Sequence, residues 1–500
     1  MMQCAKIINV IIAIIVLSGC SNREESANML FVELVQGAQM ADQENNSHTK
    51  KYKNYMAAKM IYDQIIDKYP ETSIALKLST GEAEIAGKSS FVFLQLDQQL
   101  HEKSELEKDP FSILVSSVLS RDATKNSMRL LVSIMNAYAK AGRTEEAAQL
   151  YRSINNFFDV YKDQSNREQF KIEVGLSYAA LIKTTESEIE LINSFELAKK
   201  KYGPPKSTKE IDLYFKFAEA FVTQQRTDIA EDILKDLERE DYKDAFGNTD
   251  FRYIVKVAEV YALFDKEYSI RLAENALSEL LGREGPRFSY EPELLKLIYR
   301  EGQEQRFKED FKRVFSWSML KGENKRIYAF LKLATLIKEI NLTEAELISI
   351  ENVKGYYRQD DYIELSTLGE FYSALGFDLL AIDTFNQAVT VASYNNKDTD
   401  GFGFYWVAEA LARNGYYTKS DEINNLIKSD SLKKSTISWM AKTQAKNGEY
   451  LSAMQTFNRM DDGLTNTWIY ILAEQMQSGT LPSYQFIEES HRAFLKLKID

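Results

Sequence analysis

Cysteine and histidine, which often perform catalysis or bind metal ions, are rare in this chain. It has two cysteines, Cys4 and Cys20, and three histidines, His48, His101 and His491. The histidines lie far apart along the sequence without metal-ligand spacing, and no cysteine follows residue 20. The sequence therefore predicts neither a metal site nor a disulfide framework.

The common catalytic and nucleotide-binding motifs are also missing from the sequence. It contains no glycine-rich phosphate loop, no H-E-x-x-H and no G-x-S-x-G. Acidic pairs such as Glu145-Glu146 and Asp461-Asp462 occur in a chain whose residues are 27% charged, so we interpret them as solvated faces. We interpret His491 as a surface or hydrogen-bonded histidine. We predict no enzymatic activity and no cofactor.

Cys20 stands at the end of a segment that has the build of a secretory signal. It follows Leu17-Ser18-Gly19, and before these a single positive charge, Lys6, precedes the apolar run Ile7–Val16. A basic start, an apolar run and small residues are the three parts of such a signal. The run is shorter than the ~20 apolar residues that a membrane-spanning helix needs. We predict a signal peptide over residues 1–19.

Leu17-Ser18-Gly19-Cys20 resembles the lipobox of bacterial lipoproteins. The resemblance implies that a diacylglyceryl group is joined to the Cys20 thiol, that the chain is cut before Cys20, and that acyl chains anchor it in a membrane. Ser21 in place of aspartate implies an outer-membrane location, on the periplasmic face of the cell envelope. Residues 20–27 then form a tether of at most ~25 Å. The alternative is an ordinary signal peptide that ends near a cysteine.

The composition favours long helices and disfavours nucleic acid as a partner. Only 7 prolines and 21 glycines interrupt 500 residues, and both residue types break helices. The apolar content of 44% is enough to build a sizeable core. The net charge is −12, and removal of Lys6 with the signal makes it −13. Nucleic-acid binding depends on clustered basic residues, which an acidic chain lacks as a bulk property.

One pattern recurs along the chain from Met29 onward. A small residue is followed three positions later by an aromatic or large apolar residue, then by a turn, then by an alanine and an aromatic residue four apart. Apolar residues recur every three or four positions throughout, as in helices. Copies of the pattern begin at Met135, Phe217, Val257, Leu365, Val407, Met440 and Leu472.

These copies resemble tetratricopeptide repeats, which are 34-residue helix-turn-helix units. The matching positions in the clearest copy are Gly369, Tyr372, Gly376, Ala381, Phe385 and Ala388. The copy at Val257 departs from the pattern, with Ile270 where an alanine is expected. The resemblance implies an all-α fold, a tetratricopeptide-like α-solenoid of stacked antiparallel helix pairs. A helical bundle without repeats is the alternative.

Breaks in the helical pattern predict the domain organisation. The segment Gly282–Pro292 is the strongest interruption, since it combines glycines, prolines and a polar composition. We predict an N-terminal helical half over residues 28–281, a hinge over 282–292, and a C-terminal half over 293–500.

In tetratricopeptide domains the first helix of each pair lines a groove, and the resemblance carries the ninth position of that helix onto seven residues here. They are Asn136, Glu219, Glu259, Glu370, Glu409, Lys442 and Glu474. Five are glutamates, so stacked repeats would form an acidic seam that favours a basic or amine-bearing partner. The alternative is that glutamate, a strong helix former, simply occupies an exposed face.

The sequence thus predicts a membrane-anchored envelope scaffold that binds other proteins. Outer-membrane assembly, secretion and cell-wall assembly are the roles that the resemblance implies. The alternative is an envelope enzyme or glycan-binding protein that uses a pocket between the helical halves. Aromatic side chains near the breaks would then stack on sugar rings, namely those of Phe288, Tyr290, Phe402, Phe404, Tyr405 and Trp406.

Overall fold

The computed structural model of this protein describes most of the chain and is almost wholly helical. The described residues are 2–43, 46–121, 124–160, 164–205, 207–239, 251–282, 291–299, 360–394 and 400–497. Within these ranges the only strands are Glu84–Ile85 and Lys88–Ser89, which pair as an antiparallel hairpin. The prediction of an all-α, solenoid-like array of helix pairs is confirmed.

The helices are numbered here in chain order over the described residues. The first part of the chain contains α1 Met2–Asp42, α2 His48–Lys68, α3 Ser73–Thr80, α4 Ser90–Lys108, α5 Ser112–Leu119, α6 Lys125–Lys140, α7 Thr144–Val160, α8 Gln164–Leu181, α9 Thr185–Tyr202, α10 Thr208–Thr223, α11 Thr227–Arg239, α12 Phe251–Tyr261, α13 Lys266–Gly282 and α14 Glu291–Ile298. The second contains α15 Tyr362–Ala374, α16 Asp378–Tyr394, α17 Phe402–Arg413, α18 Tyr417–Asn424, α19 Asp430–Lys446, α20 Tyr450–Phe457, α21 Thr465–Gln477 and α22 Tyr484–Phe494.

The chain divides into two compact units. Unit 1 comprises Met1–Arg121 and Thr480–Leu497, so it combines α1–α5 with α22. Its core is one cluster of buried residues from α1–α4 and the hairpin, centred on large side chains such as Tyr55, Ile65 and Phe93. Unit 2 comprises Asp122–Gly479 with Lys498–Asp500 and contains α6–α21.

Unit 2 consists of helix pairs joined by one recurring turn. In five pairs the second residue after the first helix adopts a left-handed conformation, and the N–H of the residue after it donates to a carbonyl five residues earlier. This is the Schellman arrangement, which satisfies carbonyls at a helix end. The left-handed residues are Gly142, Gln225, Gly376, Gly415 and Gly448, with φ of 63° to 84°.

Close packing within a pair depends on the small residues of the repeated pattern. Gly369 in α15 faces Phe385 in α16, and a Cβ atom at Gly369 would lie 2.7 Å from the Phe385 ring. Tyr372, Ala381 and Phe385 are each at most 3% exposed. The glycine therefore lets the two helices approach until the ring fills the space between them.

The first helices of the pairs lie side by side in unit 2. Helix α6 contacts α8, α8 contacts α10, and α10 contacts α12; α15, α17, α19 and α21 form a second such row. Helix α21 also packs against α6, so the last described first helix of this unit meets the earliest one. One buried cluster contains residues of α12–α14 together with residues of α15–α17.

The predicted hinge and the predicted tether can be compared with these elements. The predicted hinge, 282–292, falls mostly outside the described residues and stays a prediction. The two compact units meet elsewhere in the sequence, between residues 121 and 122 and between residues 479 and 480. The predicted tether, residues 20–27, lies within α1, and Ala27 is fully buried. As a helix these eight residues span about 12 Å, half of the extended length.

Candidate binding face

All seven predicted groove residues lie on first helices of unit 2. Asn136 is in α6, Glu219 in α10, Glu259 in α12, Glu370 in α15, Glu409 in α17, Lys442 in α19 and Glu474 in α21. The structure adds a member of the row that the sequence interpretation missed. Leu176 in α8 holds the equivalent position, because Gly175 and Tyr178 repeat the spacing of Gly369 and Tyr372. This spacing is one form of the repeated pattern, in which a small residue is followed three positions later by an aromatic or large apolar residue.

A recess of about 1440 Å³ lies in the inner face formed by α6, α8, α10, α12 and α21. Its lining includes Asn136, Leu176, Glu219 and Glu259, so four members of the row lie in one cavity. Apolar and polar side chains alternate along the lining. The lining also includes Glu173, Leu181, Glu210, Asp212, Lys216 and Leu263.

Glu219 and Glu259 are carboxylates that the described part of the chain leaves unpaired. Neither side chain makes a hydrogen bond or an ion pair there, and both are exposed to solvent inside the recess. The surrounding walls partly desolvate them, and this burial raises the pKa of each above its ordinary value. Repulsion from Glu293 and Glu219 raises the pKa of Glu259 further.

Asn136 also lines the recess, but its Oδ1 atom is buried and has no hydrogen-bond partner in the described part of the structure. A buried carbonyl oxygen without a donor is unfavourable by roughly 1–3 kcal/mol. The acceptors of the row that lie open to an occupant of the recess are therefore the two carboxylates, Glu219 and Glu259.

The predicted acidic seam needs a correction at Glu370 and Glu409. Both are less than 8% exposed, and both pair with Arg413. The guanidinium donates to Glu370 Oε1 at 3.0 Å and to Glu409 Oε1 at 2.9 Å, and Asn414 Nδ2 also donates to Glu370. Burial raises the pKa of Glu370, although Arg413 acts in the opposite direction. These two glutamates present no free negative charge to a partner.

The last two members of the row differ from each other. Lys442 is half-buried with Nζ 5.6 Å from the ring centre of Trp439, and burial lowers its pKa. Glu474 lies beside Tyr470, and burial together with the hydrogen bond to Glu474 raises the pKa of Tyr470 to about 12. Along the row of first helices, the carboxylates on α10 and α12 are thus unpaired, whereas the charges from α15 to α19 are largely balanced.

The aromatic residues of the alternative reading cluster on α17. The rings of Phe402, Tyr405 and Trp406 lie 5.9–6.3 Å apart, centre to centre, and Phe404 is half-buried nearby in sequence. Trp406 Nε1 is buried without an acceptor in the described structure. These four residues do not line the recess. Phe288 and Tyr290 lie outside the described residues.

Unit 1 contains a buried polar cluster where α22 packs against α2 and α4. The His48 ring stacks on the Tyr484 ring at 4.1 Å, and Lys51 Nζ donates to the Tyr484 hydroxyl at 3.1 Å. Lys103 Nζ donates to Glu488 at 2.6 Å, and His48 Nδ1 lies 3.7 Å from the same carboxylate. Burial lowers the pKa of His48.

The third contact of α22 involves His491, which is 4% exposed. Its Nε2 lies 2.7 Å from a carboxylate oxygen of Glu102 in α4. The prediction of a hydrogen-bonded histidine is therefore confirmed for His491.

Comparisons with known proteins give no family for this chain, since no protein-family model and no curated protein matches it. Among the described residues, no three potential metal ligands of the Cys, His, Asp and Glu types come together. None of the described helices combines the length and apolarity that a membrane crossing requires.

Proposed function

We propose that this protein is a lipid-anchored scaffold of the bacterial envelope that binds a protein partner on the inner face of unit 2. The observation that carries the proposal is the recess of about 1440 Å³ on the first helices. Pockets for small molecules usually measure about 300–1,000 Å³. A larger, mixed polar and apolar recess favours a segment of a macromolecule as the occupant.

The anchor in this proposal is Cys20, through the lipobox resemblance of residues 17–20. Two or more acyl chains hold a protein stably on a bilayer, because each buried methylene contributes about 0.8 kcal/mol. The proposed site is the periplasmic face of the outer membrane. The helical path of residues 20–27 supports a short connection between the anchor and unit 1.

Site-specific crosslinking in the cell tests the partner. A photoreactive residue at Ser177 or Lys216, in the recess, should give one discrete crosslinked product that mass spectrometry identifies as a single envelope protein. The matched control position is Glu196 on α9, a second helix, where the residue is exposed. Products that are absent from the recess positions, or equally abundant at Glu196, would contradict the proposal.

A second candidate function is glycan binding by the aromatic cluster of α17. The observation that favours it is the contact among the rings of Phe402, Tyr405 and Trp406, of which Phe402 is exposed. Purified cell-wall glycan should then retain the protein, and Trp406→Leu should abolish retention. Unchanged retention after Trp406→Leu would contradict glycan binding by this cluster. It would not bear on the proposal that the recess binds a protein.

A further inference from the structure

We infer that the recess of unit 2 binds a peptide segment in which a basic side chain lies about one helical turn from an apolar one. The inference rests on the proposed function, because it names the chemistry of the partner at that same site. Its elements are the unpaired acceptors in the recess, the exposed leucines beside them and the size of the cavity.

The acceptors define the charge of the occupant. Glu219 and Glu259 lie on adjacent helices, repel each other and lack protein donors. The cations that act on them, Lys216, Lys256 and Lys296, form no ion pair with either carboxylate in the described structure, and Lys256 instead binds Asp212. An ammonium or guanidinium group placed between the two glutamates would supply the missing donors and remove the repulsion.

The other carboxylates that line the recess have partners within the fold, and Glu173 accepts a hydrogen bond from Gln169. Glu210 accepts a hydrogen bond from the backbone N–H of Ser207 and closes a capping box at the start of α10. Asp212 is held by Lys256. The two glutamates of the row are thus set apart from these neighbours by having no role within the fold.

Two leucines define the apolar part of the occupant. Leu263 is 60% exposed and Leu181 is 36% exposed, and both line the recess. Leu263 follows Glu259 by four residues and lies in the turn directly after α12. An apolar side chain over these leucines would therefore place a basic group one turn away on the carboxylates, as an amphipathic segment does.

Peptide binding to the detergent-solubilised full-length lipoprotein tests this chemistry. The probe is a fluorescein-labelled 14-residue peptide with leucine and arginine at helical spacing, and fluorescence anisotropy gives its Kd. We expect saturable binding that weakens as salt is added, and no binding of the matched peptide with glutamate in place of arginine. Equal binding of the acidic peptide would overturn the inference.

Charge-neutral variants locate the site. Glu219→Gln combined with Glu259→Gln should raise the Kd of the basic peptide by about tenfold. The matched control is Glu196→Gln with Glu231→Gln, which removes the same charge from exposed positions on α9 and α11. The recess variant should unfold at an equal or higher urea concentration, because it removes two repelling carboxylates, so weaker binding cannot reflect misfolding.

Different results would contradict the protein-binding function and the basic-segment inference. If the recess variant binds the peptide as tightly as the control, the basic-segment inference is overturned. If its cellular crosslink from Ser177 also persists, the protein-binding function stands with another chemistry. If no crosslink forms in the unaltered protein, the scaffold function itself is contradicted.

Discussion

Gln225 occupies a position at which the other four turns of this type carry glycine. Its φ is 63°, in the left-handed region, and its side chain is exposed. A residue with a Cβ atom is disfavoured there by roughly 1–2 kcal/mol, whereas glycine adopts the conformation freely.

The substitution Gln225→Gly should therefore stabilise the protein by about 0.5–1 kcal/mol, after the greater freedom of glycine in the unfolded chain is subtracted. Urea unfolding followed by circular dichroism measures the change. The reciprocal substitution Gly376→Gln, at the equivalent turn with φ of 84°, should destabilise by about 1 kcal/mol. The two substitutions must change the free energy of unfolding in opposite directions. A loss of stability in Gln225→Gly would contradict a left-handed conformation at this position.

Arg413 holds two buried carboxylates, and its removal should leave them uncompensated. Arg413→Met keeps the apolar stem over Trp439 but should destabilise by about 2–3 kcal/mol at neutral pH, discounted because the arginine is one-third exposed. Stability should recover as the pH falls, because burial raises the pKa of Glu370 and protonation then removes its uncompensated charge.

Thermal unfolding at several pH values checks this behaviour. Arg152→Met, which breaks an exposed pair with Glu186, is the control and should cost less than about 1 kcal/mol. The triple variant Arg413→Met, Glu370→Gln, Glu409→Gln should recover much of the lost stability. A deficit in Arg413→Met that is independent of pH would show that packing, and not charge, dominates.

The same residues show how far the sequence predicts the site. Glu409 and Arg413 are four apart on a helix, so their pairing is readable locally. The pairing of Glu370 with Arg413 depends on how α15 stacks on α17, which one sequence does not specify. The five glutamates lie on first helices, as the repeated pattern indicates, but the paired state of two of them, Glu370 and Glu409, was not predicted.

Helix α22 is the element whose position depends most on titratable groups. His48 faces Tyr484 and Glu488 on α22, Glu107 and Lys103 on α4, and Lys51 on its own helix. Since burial lowers the His48 pKa from 6.5, its contribution to docking is complete above pH 6.5 and is lost as the pH falls below that value.

Glu488 acts in the same direction. Burial raises its pKa, but the hydrogen bond and charge of Lys103, the charge of His48 and the hydrogen bond with Tyr484 together outweigh burial, so the pKa lies below 4.5. Its contribution is complete above pH 4.5 and is lost below it. Acidification should therefore loosen α22 in two stages, first through His48 and then through Glu488.

Hydrogen exchange of the α22 amides, corrected for the intrinsic effect of pH, measures the loosening. Protection should fall several-fold between pH 7.5 and pH 5 in the unaltered protein. His48→Phe keeps a ring against Tyr484 and should flatten this dependence, whereas His101→Phe, at an exposed histidine, should not. Protection that is constant with pH would show that the polar cluster does not control docking.

At this scale the helix pairs were predictable because each one depends on residues close in sequence. Gly369, Tyr372 and Phe385 carry enough local information to specify a pair, and they are packed as predicted. The docking of α22 onto α2 joins residues more than 430 positions apart, as in the contact of His48 with Tyr484. No periodic pattern encodes such a contact, so the composition of unit 1 was not foreseen.

For the whole molecule, the proposed anchor at Cys20 can be tested by removing its thiol. Cys20→Ala removes the thiol that would carry the diacylglyceryl group, so the protein should leave the membrane fraction. Ultracentrifugation of lysed cells followed by immunoblotting measures the distribution. Ser21→Ala, which keeps the thiol, is the control and should remain with membranes. Sedimentation of Cys20→Ala with membranes would contradict lipidation.

The contact between α6 and α21 has a consequence for how the protein is made. Helix α6 begins at residue 125 and α21 at residue 465. At about 5–20 residues per second, synthesis separates the two helices by tens of seconds. During that interval the surface of α6 that α21 later covers lacks its packing partner. We expect chaperones to bind this surface of the nascent chain. We also expect refolding from urea to be slow, because a contact between residues so distant in sequence must form.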